Sequence, residues 1–195
     1  MRCFIAIAVP EPVRAAIGEL MVQVKGIPAS SARVRWVAEE NIHLTVKFLG
    51  EVDEGRVAGI GERLREVCTG HAPFGLTIEG TGAFPGTKNP RTLWVGVAGS
   101  EALANLARDI EQAMESLGFE KEERTFSPHL TIGRVRPGRV TERRGLDSIV
   151  KELATFKDKV FGTIQVEEIL LMKSQLRPGG AEYSVVAGFQ LKACE

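Results

Sequence analysis

The chain alternates short apolar runs with amphipathic stretches, in an order that occurs twice. Each half begins with an apolar run, at Phe4–Val9 and at Leu93–Ala98, and such runs predict buried strands. An amphipathic stretch follows, then a strand that starts at a histidine, a second amphipathic stretch, and a strand that opens with Phe-Gly, at Phe74 and Phe161. The repeated order indicates an internal duplication.

The amphipathic stretches have the helical period, because their apolar residues recur at steps of three and four. We therefore expect four helices, each burying one apolar stripe in the core. Gly118 suits the end of the third helix, since glycine favours the conformation that follows a helix C-terminus. The stripes are Val13, Ala16, Ile17, Leu20, Met21 and Val24; Val57, Ile60, Leu64 and Val67; Leu103, Leu106, Ala107, Ile110, Met114 and Leu117; and Leu146, Ile149, Val150 and Leu153.

Strands are also predicted at Leu76–Gly80, Ile164–Leu171 and Tyr183–Leu191, and Arg177–Gly180 is typical of a turn. No low-complexity linker separates the two halves. The predicted fold is therefore α+β, with residues 1–195 forming one domain of two similar, intertwined lobes that share a groove. Each lobe contributes one histidine strand.

Charge and composition narrow the functional classes. The 25 basic residues balance 25 acidic ones, which argues against nonspecific coating of a long nucleic acid. One segment, from Lys121 to Arg144, holds seven basic and three acidic residues and taken alone is typical of a solvated loop face. Its basic residues are Lys121, Arg124, Arg134, Arg136, Arg139, Arg143 and Arg144.

The cysteines and the N-terminal run favour a cytoplasmic protein without membrane contact. Cys3, Cys68 and Cys194 are odd in number and lack CxxC spacing, so they predict neither a disulfide framework nor a zinc site. The run Phe4–Val9 is shorter than the core of a signal peptide. No stretch approaches transmembrane length.

The two halves agree most closely at their histidine strands, His43-Leu44-Thr45-Val46 and His129-Leu130-Thr131-Ile132. A given histidine is followed by Leu-Thr about once in 200 at ordinary residue usage, so chance explains the pair poorly. On a strand, side chains at i and i+2 share a face. Each motif therefore presents an imidazole and a hydroxyl together, and two such strands facing one another would enclose a small site.

These residue types suit phosphodiester chemistry. An imidazole, with an ordinary pKa near 6.5, can act as acid or base at neutral pH. A threonine hydroxyl can donate to a phosphate oxygen. Taken singly, each histidine is more often scaffold and each threonine is an ordinary strand residue, but the pairing outweighs that interpretation. His71 has no matching partner and is interpreted as structural or surface.

A metal site is the main rival for paired histidines. His-x-Thr is not a metal-ligand spacing, and no Asp or Glu stands in phase with either motif. Glu39 and Glu40 precede the first motif but lie in a predicted turn. We therefore expect catalysis without a metal and without any other cofactor.

These residues resemble the 2H phosphoesterases, and among them the bacterial and archaeal RNA 2',3'-cyclic phosphodiesterases, also called 2'-5' RNA ligases. The likeness covers nearly the whole chain and includes Arg2–Ile7, Val34–Val37, Asn41–Glu51, Phe126–Arg134 and Leu171–Leu176. It implies a bilobal fold with two antiparallel sheets facing a central cleft and helices packed outside. It also implies metal-independent hydrolysis of a terminal 2',3'-cyclic phosphate on RNA to a 2'-phosphate.

The resemblance carries roles for the motif residues. His43 takes the place of the proton donor and His129 that of the proton acceptor. Thr45 and Thr131 take the place of the phosphate-binding threonines. Both motifs match the family pattern without departure.

Other candidate substrate contacts follow less directly. Arg134 resembles a substrate-holding arginine of relatives, but strict alternation puts it on the opposite face, so a bulge or strand end is needed to turn it inward. Lys47 is in phase with the first motif and is expected to contact phosphate, whereas Phe48 is out of phase and expected in the core. Trp36 and Phe126 could stack on a base, although packing is the commoner role of such rings.

Three functional hypotheses remain open at this stage. The first is the phosphodiesterase, acting as a monomer on RNA or oligonucleotide ends. The second is a module that binds RNA ends without significant turnover, against which the intact second motif argues. The third is ligation as the physiological reaction, which the same acid-base pair could run, and which the sequence does not separate from hydrolysis.

Overall fold

The computed structural model describes residues 1–27, 34–136, 140–177 and 180–192. Two short 3-10 helices, Glu39–Asn41 and Glu54–Arg56, accompany the strands and α-helices. In chain order these are β1 (Arg2–Ala8), α1 (Glu11–Lys25), β2 (Val34–Trp36), β3 (His43–Glu51), α2 (Val57–Thr69), β4 (Phe74–Phe84), β5 (Thr92–Val97), α3 (Glu101–Ser116), β6 (His129–Val135), α4 (Val140–Ala154), β7 (Val160–Val166), β8 (Glu168–Arg177) and β9 (Gly180–Gln190).

The strands form two antiparallel half-sheets with matching order. The His129 half-sheet runs β6-β5-β4-β7, with β2 also on β6, and the His43 half-sheet runs β3-β1-β8-β9. Helices α1 and α4 pack on the first of these, and α2 and α3 on the second. The predicted α+β duplication with outer helices is confirmed. Within the described residues, the two half-sheets meet at one register pair, Leu44 with Leu130.

Each half-sheet takes strands from both halves of the chain. Strands β8 and β9 from the C-terminal half complete the His43 half-sheet. The two Phe-Gly strands, β4 and β7, are neighbours in the His129 half-sheet, with Phe74 opposite Val166. The order of elements therefore repeats, but the last strand of each repeat does not hold an equivalent position. This exchange supports our proposal that residues 1–195 form one domain of intertwined lobes.

The four predicted helices are confirmed, and most residues of their apolar stripes are buried, although Leu117 is the C-cap of α3 and Leu146 is not in the core. Ile17 on α1, Leu64 on α2, Leu106 on α3 and Leu153 on α4 all lie in the core. In α3, the Ser100 hydroxyl oxygen caps the N-terminus by accepting from the Leu103 amide at 3.2 Å. Beyond its other end, Gly118 has φ +83°, the left-handed region predicted there.

One predicted strand is wrong, because the segment Ile164–Leu171 is two strands. Strand β7 ends at Val166 and pairs with β4, while β8 starts at Glu168 and pairs with β1. The intervening Glu167 carbonyl accepts from the Leu191 amide at 2.7 Å. No glycine or proline marks the break, and the only local sign of it is that Glu167 and Glu168 interrupt the alternation of apolar and polar residues.

The basic segment from Lys121 to Arg144 is not a single loop. Lys121 and Arg124 lie on an exposed loop, but Arg134 belongs to β6, and α4 begins at Val140. Arg139 and the side chains of Arg143 and Arg144 lie outside the described residues. So do Pro178 and Gly179 of the predicted turn.

The described cysteines are buried in separate elements. Cys3 lies on β1 and Cys68 on α2, both as free thiols, and burial raises the pKa of Cys68 to about 11. Cys194 is outside the described residues. Among those residues, no helix is long and apolar enough to cross a membrane.

Candidate active site

The two HxTx motifs meet where the half-sheets join. His43 opens β3 and His129 opens β6, and these antiparallel strands place Leu44 opposite Leu130. Extending that register by one residue sets each histidine across from the other motif's threonine. Both leucines are fully buried, so the imidazoles and hydroxyls take the opposite face, which lines the cleft. The sequence-predicted quartet is therefore brought together.

Both imidazoles are held by the same local hydrogen bond. The Nδ1 atom of His43 lies 2.7 Å from the Asn41 carbonyl oxygen, and that of His129 lies 2.7 Å from the Ser127 carbonyl oxygen. A carbonyl oxygen only accepts, so Nδ1 must carry the hydrogen in each ring. That tautomer leaves Nε2 as the atom that takes or gives a proton.

Aromatic rings fix the orientation of both histidines. Phe4 stacks on His43 with ring centroids 4.8 Å apart, and Tyr183 meets the same imidazole edge-on at 5.0 Å. Phe84 meets His129 edge-on at 4.9 Å. Packing of this kind limits rotamer exchange, which keeps each Nε2 in place.

Burial lowers the pKa of His43 from its ordinary 6.5. The hydrogen bond to the Asn41 carbonyl opposes that effect by favouring the charged ring, and the positive charge of Arg134 adds to the lowering. At neutral pH the free protein therefore holds His43 mostly neutral. A bound anion would raise the pKa of His43, which burial and the charge of Arg134 lower, and would so favour the protonated ring.

A β-bulge follows each motif at the same position. The bulged residue is Val46 in β3 and Ile132 in β6, since the residues on either side of each lie opposite consecutive residues of the neighbouring strand. A bulge of one residue reverses the alternation of side chains beyond it. Residues after the motif therefore face the side opposite to the one that simple counting predicts.

The expectation that Lys47 contacts phosphate is wrong for this reason. Its side chain is 5% exposed and points toward the helices, where Nζ donates to Glu111 Oε1 at 2.6 Å and to the Glu120 carbonyl at 2.9 Å. The same carboxylate oxygen accepts from the Glu122 amide at 2.9 Å. Lys47 thus ties β3 to α3 and to the segment that leads toward β6.

The same reversal of side-chain alternation shows that the prediction of a core position for Phe48 is wrong. It also explains how Arg134 can face the cleft. Phe48 is not in the core: it is 66% exposed and lies on the cleft wall, 6.2 Å from Phe4 between ring centroids. Arg134 is turned toward the cleft by the bulge at Ile132 and lines the same cavity as His43. The bulge that the family resemblance required is present.

A cavity of about 530 Å³ opens on the His43 side of the motif pair. His129 is not among its described lining residues, so the space is asymmetric about the two histidines. Guanidinium groups and flat rings together suit a ligand that carries both phosphate and bases. They come from Arg2, Arg35, Arg134, Trp36, Phe48 and Tyr183.

The two aromatic candidates for stacking on a base, Trp36 and Phe126, lie in different surroundings. Trp36 lines the cavity, and Lys25 Nζ lies 5.6 Å from the centre of its ring. Phe126 packs, half-buried, against the hydrophobic core and is not among the described lining residues. Sequence reasoning missed Arg35 and Tyr183, because no local pattern relates a residue of β2 or β9 to the histidine strands.

The remaining histidine is structural, as interpreted. Nε2 of His71, just beyond α2, lies 2.9 Å from Asp109 Oδ2 on α3. Across the described ranges, no three His, Cys, Asp or Glu side chains gather as a metal-ligand set.

Known proteins resemble this chain over its full length. The family model described as LigT-like phosphoesterase matches twice, at residues 7–94 and 95–183. An RNA 2',3'-cyclic phosphodiesterase of Methanothermobacter thermautotrophicus is 33% identical over 98% of this chain and 99% of its own length. Another, of Methanocaldococcus jannaschii, is 34% identical over 95% of this chain and 98% of its own.

Solved structures share the fold. A Thermus thermophilus protein aligns with a TM-score of 0.79 at 27% identity, covering 99% of both chains. The Escherichia coli LigT structure determined with 3'-AMP aligns with a TM-score of 0.75 at 23% identity, covering 97% of both chains.

We predict that Lys47→Met lowers the free energy of unfolding by about 2 kcal/mol, because the mostly buried Glu111 carboxylate and the Glu120 carbonyl oxygen lose the ammonium group that donates to them. Denaturant titration measures the change. Lys121→Met is the matched control, since Lys121 is 66% exposed and 3.9 Å from Glu115, and it should change little. Unchanged stability of Lys47→Met together with weakened binding of inorganic phosphate would restore the original assignment.

We predict that the imidazole of His43 in the free protein titrates below pH 6.5, because burial and the charge of Arg134 both disfavour the protonated ring. Arg134→Gln should move the midpoint upward by removing that charge. Following the ring protons by NMR against pH measures both midpoints, with assignment from His43→Gln. A midpoint at or above 6.5, or no shift in Arg134→Gln, would contradict the electrostatic account.

Proposed function

The chain belongs to the LigT-like phosphoesterases, and we propose that it is an RNA 2',3'-cyclic phosphodiesterase in which His43 and His129 are the acid-base pair. The observation that carries this proposal is the junction of β3 and β6, where two HxTx motifs share one face. Each imidazole there has Nδ1 occupied by a carbonyl and Nε2 left for proton transfer.

The reaction uses the two histidines in opposite protonation states. A water oxygen attacks phosphorus while its proton passes to Nε2 of His129. The P–O3' bond breaks on the other side while Nε2 of His43 donates a proton to O3'. The product carries a 2'-phosphate and a free 3'-hydroxyl, so atoms and protons balance.

The surrounding groups stabilise the phosphate and its developing charge. The hydroxyls of Thr45 and Thr131 donate to nonbridging oxygens, and Arg134 supplies a positive charge from the cleft wall. Because the phosphate is anionic, its arrival favours the protonated His43 that the reaction needs. These groups suffice for a metal-free mechanism.

The cavity beside His43 holds the nucleoside end of the substrate. Its volume of about 530 Å³ falls in the range of small-ligand pockets. The exposed ring of Phe48 and the ring of Trp36 offer platforms for a base, and Arg2 and Arg35 offer contacts for neighbouring phosphates. Relatives at 33–34% identity are named for the same reaction.

Ligation is available to the same pair of histidines. The 5'-hydroxyl of a second RNA would take the place of water and give a 2'-5' linkage with the same bond broken. Both motifs come from one chain, so we propose that a monomer is active. A cytoplasmic location, where RNA ends are processed, fits this substrate.

We predict that the protein converts an oligonucleotide ending in a 2',3'-cyclic phosphate to the 2'-phosphate in excess EDTA, since the catalytic groups are all side chains. Chromatography with 2'- and 3'-phosphate standards identifies the product. Loss of activity in EDTA with recovery on adding a divalent ion would refute the metal-free mechanism. Binding of the oligonucleotide without turnover of it or of a cyclic mononucleotide would favour an RNA-end-binding module.

We predict that an activated leaving group distinguishes the two histidines. A nitrophenyl phosphodiester needs little proton donation, so it should rescue His43→Ala by at least about tenfold more than His129→Ala, relative to the natural cyclic substrate. The measurement is kcat/KM for both substrates in the wild type and both variants. Equal rescue of the two variants, or a 3'-phosphate product from the natural end, would show that the roles or the leaving oxygen are wrong.

A further inference from the structure

The two half-sheets carry different residues at equivalent positions in the cleft. On β1, the residue opposite Thr45 is Ala6, whereas on β5 the residue opposite Thr131 is Trp94. Directly opposed residues of an antiparallel pair share a face. An indole therefore stands beside the second motif where the first motif has only a methyl group.

Two glycines make the room that this indole occupies. A methyl group at Gly82, directly opposite Trp94 on β4, would overlap the ring, and one at Gly96 would come within 3.3 Å of it. Phe84 packs on the indole with centroids 5.2 Å apart and also meets His129 at 4.9 Å. Phe84 therefore contacts both rings and links the indole to His129.

Hydrogen bonding does not explain an indole at this position. The Trp94 Nε1 atom is buried and has no hydrogen-bond partner within the part of the chain that the structure describes. An unmade buried hydrogen bond costs stability. We therefore attribute the role of Trp94 to the size and shape of its ring.

The open space lies on the other side of the histidine pair. The cavity is lined by His43 but not, among the described residues, by His129, Trp94 or Phe84. In the mechanism proposed above, the leaving O3' and its nucleoside lie on the His43 side. The incoming nucleophile approaches from the His129 side, where Phe84 contacts the imidazole and Trp94 packs behind Phe84.

We propose that Trp94 and Phe84 form a wall that admits water to His129 and hinders the 5'-hydroxyl of a second RNA, so that this site selects hydrolysis over ligation. The inference rests on the proposed function. In ligation the 5'-oxygen bonds to phosphorus, its proton passes to His129, the P–O3' bond breaks, and His43 protonates O3'. The chemistry matches hydrolysis, but the nucleophile brings a nucleoside that needs the space the indole fills.

The test is the partition between products rather than the rate. A 2',3'-cyclic-ended oligonucleotide is incubated with a fixed excess of an acceptor nucleoside that has a free 5'-hydroxyl, and the ratio of 2'-5' diester to 2'-phosphate is measured. Trp94→Ala and Trp94→Leu should raise that ratio on the order of tenfold over the wild type, as relief of a steric block does. The ratio does not depend on the folded fraction, so partial destabilisation of either variant does not obscure it.

Two controls separate the wall from general loosening of the site. Phe48→Ala, on the His43 side, should lower kcat/KM and leave the ratio unchanged. Methanol as acceptor should give a ratio that Trp94→Ala changes far less than it changes the nucleoside ratio, because methanol needs little space. An unchanged nucleoside ratio in both Trp94 variants, or an equal rise in Phe48→Ala, would overturn the inference. No product of either kind from the wild type would instead refute the proposed function, and the inference with it.

Discussion

The pairing of β3 with β6 at Leu44 and Leu130 is the contact on which the site depends. It joins two half-sheets that are otherwise built from interleaved halves of the chain. Because both leucines point into the core, the flanking histidines and threonines must face the cleft together. The separation of the two histidines is thus set by a backbone register rather than by flexible side chains, which is the kind of rigid support that a proposed reacting pair needs.

The bulges after the motifs set which face of the sheet the following side chains occupy. Without them, Lys47 would face the cleft and Arg134 the helices. With them, Lys47 is buried and bonds to Glu111, and Arg134 lines the cavity beside His43. The same kind of bulge in both strands therefore turns Lys47 toward the helices, and turns Arg134 and Phe48 toward the cavity.

Duplication supplies the pair of histidines, and divergence makes them unequal. Both rings keep the same Nδ1 hydrogen bond to the carbonyl two residues earlier. Their surroundings differ, since His43 borders an open cavity with arginines, whereas His129 contacts Phe84, which in turn packs on Trp94. This difference is what the proposed roles call for, with an acid beside a bulky leaving group and a base beside a small nucleophile.

Local sequence was enough to predict the four helices, most of their buried stripes, the duplication and the two repeated motifs, because each rests on local periodicity or on a repeated tripeptide. It could not determine which face Lys47, Phe48 and Arg134 occupy, since a bulge depends on the register with a neighbouring strand and leaves no local mark. Nor could it show that Ile164–Leu171 divides between two strands or that Tyr183 meets His43, because those facts depend on partners far away in the chain. These features depend on strand pairing in the tertiary structure, because pairing sets the register that turns each side chain to one face and brings distant residues into contact.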